Sequence, residues 1–152
     1  MLDKTTRRLL QEIDLAPDEE GGVGDMLCVD DYNFDGYDDF SMLEGVYASG
    51  NTSSVYFLFD PGTGTFFLSN IGGTNLEFND VSKTITSTNY CCAGSRKMEQ
   101  IYKLVDNRAV LIEQHCLTWV EVEEKGTYLE DEDGYPVFEE EDCYPDSYID
   151  AV

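Results

Sequence analysis

Short apolar runs broken by compact polar turns dominate this chain, and the runs follow an alternating period more often than a helical one. The spacing predicts strands over 26–29 and 40–45, either side of an acidic loop. Strands at 55–59 and 65–69 flank Asp60-Pro61-Gly62-Thr63-Gly64, whose Pro and two Gly supply turn dihedrals. Strands at 76–78 and 84–88 flank Asn79-Asp80-Val81-Ser82-Lys83. Strands at 100–105 and 109–114 flank Asp106-Asn107-Arg108, where Asn107 can take a positive φ. A last hairpin joins 128–129 to 137–138 across Glu130-Asp131-Glu132-Asp133-Gly134. This order predicts an all-β fold of antiparallel strands and hairpins, arranged as a sandwich or a small propeller-like body. Over 101–105 the alternation of Ile101, Lys103 and Val105 against Tyr102 and Leu104 is imperfect, which leaves the strand faces open. Residues 5–15 carry Leu9, Leu10 and Ile13 with Arg7 and Arg8 outward, and fit a short N-terminal helix or an edge strand equally.

The loop between the first two strands is Asp31-Tyr32-Asn33-Phe34-Asp35-Gly36-Tyr37-Asp38-Asp39. It sets carboxylate or amide oxygens at loop positions 1, 3, 5 and 9, with Gly at position 6. A short loop wraps a hard cation such as Ca²⁺ with its ligands in that order, and the backbone turns sharply at the sixth residue. Asp31, Asn33, Asp35 and Asp39 are therefore candidate side-chain ligands, and Tyr37 a candidate through its backbone carbonyl. A solvated acidic turn is the alternative. Met42 stands at loop position 12, where an EF-hand needs a bidentate Glu, and the loop has no second copy as in dockerin modules. These four side chains offer few oxygens for an ion that takes roughly six to eight. Bidentate Asp39, water or a remote carboxylate is expected to complete the shell.

A chain of 152 residues has the size of one domain with a full core, and its ten Tyr and eight Phe argue for a packed body. Residues 1–152 are accordingly read as a single all-β domain. Nine basic residues against 32 acidic ones give a formal charge of −23. Such a surface repels nucleic acid and anionic membranes and favours cations or basic partners. Much of the acid follows Glu121, where it reads first as a solubilising surface. No stretch reaches the length of a membrane span. The five cysteines lack zinc-site spacing, and Cys91 and Cys92 are adjacent. The preferred bridge joins one of that pair, Cys92, to Cys116 across two strands, while Cys28 and Cys143 either pair or stay reduced. Met1-Leu2-Asp3-Lys4 opens no apolar leader. The cation loop and the disulfides favour a periplasmic or extracellular protein whose leader is missing from this sequence, with cytoplasmic residence left open.

Catalysis finds little support. The one histidine, His115, lies beside Cys116 in a strand, and no oriented nucleophile or acid pair stands out among so many carboxylates. Trp119, the one tryptophan, reads as a core residue or an interface anchor. A non-catalytic, calcium-binding domain is expected.

Asp31-Tyr-Asn-Phe-Asp-Gly-Tyr-Asp-Asp-Phe40 is followed by Val55-Tyr-Phe-Leu-Phe-Asp-Pro-Gly-Thr-Gly-Thr-Phe66. Then come Leu76-Glu-Phe-Asn-Asp-Val-Ser-Lys-Thr-Ile85 and Ile101-Tyr-Lys-Leu-Val-Asp-Asn-Arg-Ala-Val-Leu-Ile112. In that order, over about residues 25–120, the chain resembles a family of bacterial extracytoplasmic β-proteins with one calcium loop. The family includes periplasmic immunity proteins that neutralise lysozyme-like effectors, and it is similar in fold to periplasmic inhibitors of invertebrate-type lysozymes. The resemblance implies a calcium-ligand role for Asp31, Asn33, Asp35, Tyr37 and Asp39. It also implies a partner-binding role for Gly94 and Ser95, since a Gly- and Ser-rich loop of those inhibitors enters the enzyme's cleft. The adjacent Cys91-Cys92 and the pair Arg96-Lys97 depart from that loop pattern, and the acidic stretch 121–152 lies outside the resemblance. The expected partner is a basic, lysozyme-like peptidoglycan hydrolase. The alternative is a cell-envelope module in which calcium only stabilises a loop.

Overall fold

The structure is a computed structural model that describes residues 9, 11–13, 26–122 and 127–143. The strands β1 (Leu27–Asp30), β2 (Asp39–Val46), β3 (Thr52–Asp60) and β4 (Thr65–Leu68) form an antiparallel meander in chain order. A second meander holds β5 (Leu76–Asn79), β6 (Thr84–Cys91), β7 (Arg96–Val105) and β8 (Arg108–Trp119). Two short strands, β9 (Glu121–Val122) and β10 (Thr127–Tyr128), pair as a ribbon, and β11 (Phe138–Glu141) returns to lie on the open edge of β8. The all-β antiparallel expectation therefore holds, as two sheets of four and five strands.

Side-chain parity on β3 explains how the sheets meet. Tyr56 and Leu58 point to one face and pack with Tyr32, Ile71 and Ile85. Phe78, Tyr102 and Leu104 of the second sheet close the same core. Leu58 is fully buried, which stabilises by about 1.5–3 kcal/mol relative to exposure. Phe57 and Phe59 point to the opposite face. There Phe40 stacks on Phe57 with ring centroids 4.7 Å apart, and Phe66 lies 5.0 Å from Phe40 and 5.2 Å from Phe59. A strand apolar on both faces belongs in a sheet interior, and β3 is an interior strand.

The β7–β8 ladder is irregular beside Ile101. Ile101 pairs with Glu113 but Tyr102 pairs with Leu111, so Ile112 is an extra residue in a β-bulge. At the N-terminus, Leu9 makes a β-bridge and residues 11–13 have no regular structure; the rest of the helix-or-strand segment 5–15 lies outside the described residues. Gln11 nonetheless covers the outer edge of β4. Its Nε2 donates to the Phe66 carbonyl at 2.7 Å, and its Oε1 accepts the Phe66 N–H at 2.8 Å.

The expected bridge from Cys92 to Cys116 is corrected: Cys116 is bonded to Cys143. Cys92 directly follows the end of β6 and Cys116 lies on β8, with β7 between those strands. Two strand spacings are about 9–10 Å, beyond the ~7 Å that a disulfide spans. By contrast β11 neighbours β8 directly, with Glu141 opposite Cys116, so Cys143 arrives at a Cα separation of 5.3 Å. Cys28 is an exposed thiol on β1. Of the acidic stretch 121–152, Phe138–Glu141 joins the second sheet as β11, and residues 123–126 and 144–152 lie outside the described residues.

Candidate metal centre

Loop 31–39 takes its shape from aromatic residues at two of its even positions. Tyr32 is buried against Tyr56 and Phe78, with ring centroids 4.9 and 4.8 Å away, and its hydroxyl shares a 2.9 Å hydrogen bond with Ser41. Phe34 packs on Phe78 at 6.4 Å, and the Lys83 ammonium sits 5.2 Å from the Phe34 ring centre. Tyr37 rests on Phe59 at 5.7 Å. The sharp turn needs two residues in the left-handed region, Phe34 at φ 63° and Gly36 at φ 88°. Space is open where a Cβ on Gly36 would lie, so the dihedral and not crowding is what calls for glycine.

The polar odd positions interlock. Asp31 accepts the N–H of Asp35 at 2.9 Å on Oδ1 and that of Gly36 at 2.8 Å on Oδ2. Asp35 accepts the Tyr37 N–H at 2.9 Å on Oδ1 and the Asn33 amide at 2.8 Å on Oδ2. Asn33 Oδ1 accepts the Asp35 N–H at 3.3 Å. The structure thus brings Asp31, Asn33 and Asp35 together. It adds a residue the sequence reading had placed only in a turn: Asn33 Nδ2 also donates to Asn107 Oδ1 at 3.2 Å, from the β7–β8 hairpin of the other sheet. The left-handed φ of 60° at Asn107 was the visible signal, but its reach to the loop was not.

Asp39 is bound up in backbone hydrogen bonds. It is 1 % exposed, and its Oδ2 accepts the N–H groups of Tyr32 at 3.0 Å and Asn33 at 3.2 Å. Its Oδ1 accepts the Phe59 N–H at 2.7 Å, which ties the loop to β3. Burial pushes the Asp39 carboxyl above its ordinary pKa; the three amides oppose the rise and the charge of Asp35 adds to it.

Among the described residues no three Asp, Glu, His or Cys side chains gather as a group that could hold a metal. The donors near the loop are two carboxylates, one amide and the Tyr37 carbonyl, all oxygen, which is the chemistry a hard cation takes. Each Asp31 oxygen accepts one N–H and keeps a lone pair, and Asp39 Oδ1 does the same.

The β6–β7 connection holds the other predicted site. Cys92–Gly94 form a 3-10 turn, and Gly94 and Ser95 are half-buried. Ser95 turns its hydroxyl back onto the Cys92 carbonyl at 2.8 Å, and its own carbonyl accepts the Trp119 N–H at 2.9 Å. The exposed tip of the turn is Cys92 and Ala93. Trp119 lies edge-on to Tyr128 at 4.3 Å and to Phe138 at 6.3 Å. His115 pairs with Glu140 at 2.8 Å and Glu113 at 3.6 Å. Those carboxylates, the Glu140 hydrogen bond first, raise its pKa.

A comparison of the chain with protein-family models, curated proteins and solved structures finds no match in any of the three.

Proposed function

We propose that this chain is a calcium-binding, non-catalytic β-domain that binds and occludes a basic, lysozyme-like peptidoglycan hydrolase outside the cytoplasm. The observation that carries the metal part is the division of labour in loop 31–39. Rings at Tyr32 and Phe34 anchor it in the core, while Asp31, Asn33 and Asp35 interlock above the turn. Asp31, Asn33, Asp35 and the Tyr37 carbonyl hold the ion in this reading, with Asp39 Oδ1 as the fifth donor. Bound Ca²⁺ supplies positive charge that offsets repulsion among Asp31, Asp35, Asp38 and Asp39. The partner part rests on the motif order that resembles the immunity and inhibitor family and on the charge of −23, which steers a cationic enzyme toward the domain. Cys92 and Ala93 then form the leading edge of the turn that carries Gly94 and Ser95.

Thermal melting during a calcium titration tests the first part. At one hundred times Kd, binding to the native state alone adds about 2.7 kcal/mol. That corresponds to roughly 5–10 °C for a chain of this size. Asp35→Ala is expected to abolish the shift; a shift that survives it removes the loop from the proposal. Turbidity assays with a panel of muramidases test the second part, and an absence of both binding and inhibition defeats it.

A second reading has its own support. The loop lies between the sheets, touching Phe78 and Asn107 of one and Phe59 of the other. A cation there would serve as a structural clamp, in a cell-envelope module with no enzyme partner. Calcium-dependent melting with no muramidase inhibition is the result that favours it.

A further inference from the structure

The adjacent cysteines form a second chemical feature, independent of the loop. Cys91 ends β6 and is 1 % exposed, packed with Cys116 and Met98; Cys92 is exposed at the tip of the turn. Their sulfurs lie 2.7 Å apart. That is far inside the ~3.5–4.0 Å of ordinary non-bonded contact between smaller atoms. Side chains of neighbouring residues in a strand point to opposite faces and do not meet. Here they meet because the backbone leaves the strand at this point. Cys92 and Ala93 both take φ 56°, a left-handed conformation that residues with a Cβ rarely adopt. Two such residues in succession persist only where the surroundings hold them. Ser95 does so, through its N–H to the Cys92 carbonyl at 3.2 Å and its hydroxyl to the same oxygen at 2.8 Å. The Trp119 N–H in turn fixes the Ser95 carbonyl.

We infer that Cys91 and Cys92 are a redox-active dithiol that closes to a disulfide between neighbouring residues, with a small-molecule disulfide as the electron acceptor. Cys92, the accessible sulfur, attacks one sulfur of the acceptor as a thiolate. The acceptor's S–S bond breaks, and the first leaving thiolate takes up the proton that Cys92 gave up. The Cys91 sulfur then attacks Cys92, forming the Cys91–Cys92 bond and expelling the second thiolate, which takes the Cys91 proton. Two electrons and two protons pass to the acceptor, which departs as two thiols. Cys116 does not compete, because it is already bonded to Cys143. Neighbouring Cα atoms are about 3.8 Å apart. Ordinary disulfides span ~4.4–6.8 Å, so the ring is strained and its bond is of the more reducible kind. The pair opens the turn that carries Gly94 and Ser95, so its oxidation state sets how that turn is held.

The test uses the full chain incubated with oxidised glutathione, unfolded in the presence of an alkylating agent, cut with trypsin without reduction, and weighed. The peptide of residues 84–96 carries both cysteines and no other. It is expected to lack alkyl groups and to be two hydrogens lighter than its reduced form, with the Cys116–Cys143 link intact. Cys91→Ser is expected to stop at the intermediate, one glutathione on Cys92. Because Cys91 is buried, Cys92→Ser serves as the second variant and is expected to leave Cys91 alkylated and free of glutathione. A doubly alkylated peptide, a glutathione adduct persisting on the unsubstituted chain, or a link from either cysteine to Cys116, Cys143 or another molecule overturns the inference.

Discussion

Asn51 uses the full hydrogen-bonding capacity of its side chain while 2 % exposed. Its Nδ2 donates to Asn89 Oδ1 at 2.7 Å and to the Tyr90 carbonyl at 2.8 Å. Its Oδ1 accepts the Tyr90 N–H at 2.9 Å and the Asn75 amide at 2.8 Å. Asn75 continues the network to the Thr52 N–H, so one amide chain ties the start of β3 to the end of β6. Buried polar groups of this kind matter most when one partner is removed, because the others are left desolvated and unpaired. Asn51→Ala is therefore expected to lower unfolding free energy by about 2–4 kcal/mol, measured by urea denaturation. A loss within the ~0.5 kcal/mol typical of surface sites would show that water replaces the amide. Nothing in the sequence marked this residue. Ser49-Gly50-Asn51-Thr52 has the composition of a turn, and which turn amide is buried depends on β6 approaching from 39 residues away. Asp39 was legible only as a ninth-position oxygen for the same reason: its third amide donor, Phe59, lies 20 residues on.

The last strand illustrates what periodicity could and could not reveal. The first eight strands lie where the apolar runs and turn residues place them, because each hairpin is closed by its own local turn. Their ends were longer than the runs: β7 begins at Arg96 and β8 reaches Trp119, since ladder pairing continues through polar residues that alternate faces. Strand β11 was only partly legible. The predicted run 137–138 meets it at Phe138, and Val137 does donate its N–H to the Leu129 carbonyl at 2.8 Å. Yet Glu139-Glu140-Glu141 reads as solvated acid, and the strand pairs with β8. What recruits it is long-range: the Cys116–Cys143 bond, Phe138 beside Trp119, Arg96 to Glu141 at 3.3 Å, and His115 to Glu140 at 2.8 Å. Charge on an edge strand also discourages pairing with other chains. The histidine makes this docking sensitive to pH. Its folded pKa is raised, so the protonated pair stabilises β11 below the unfolded value near 6.5, and that contribution is lost as pH rises through the folded pKa. In an NMR titration of the His115 ring, Glu140→Gln is expected to move the midpoint down toward the ordinary value. An unchanged midpoint would leave Glu113 as its dominant partner.

Across the whole molecule, acid outnumbers base by 32 to nine, and the described ion pairs neutralise only a few of these carboxylates. Self-repulsion of a charge of −23 opposes the compact state, and its range is set by the ionic atmosphere. The Debye length falls from about 30 Å at 0.01 M salt to about 10 Å at 0.1 M, so charges across the sheets interact at the first and scarcely at the second. Melting temperature without divalent ions is therefore expected to rise with NaCl over about this range. Screening is indifferent to which carboxylate is removed, so Asp35→Ala should keep nearly the whole of that rise. A cation held by loop 31–39 behaves differently: its effect saturates with concentration and depends on Asp35. The two contributions separate in one experiment, with calcium added at fixed ionic strength to both proteins. For the cationic partner proposed above the sign would reverse, since salt that steadies the domain would slow such an encounter. A melting temperature flat or falling with NaCl would mean that the acidic surface is balanced locally, and long-range steering by net charge would lose its physical basis.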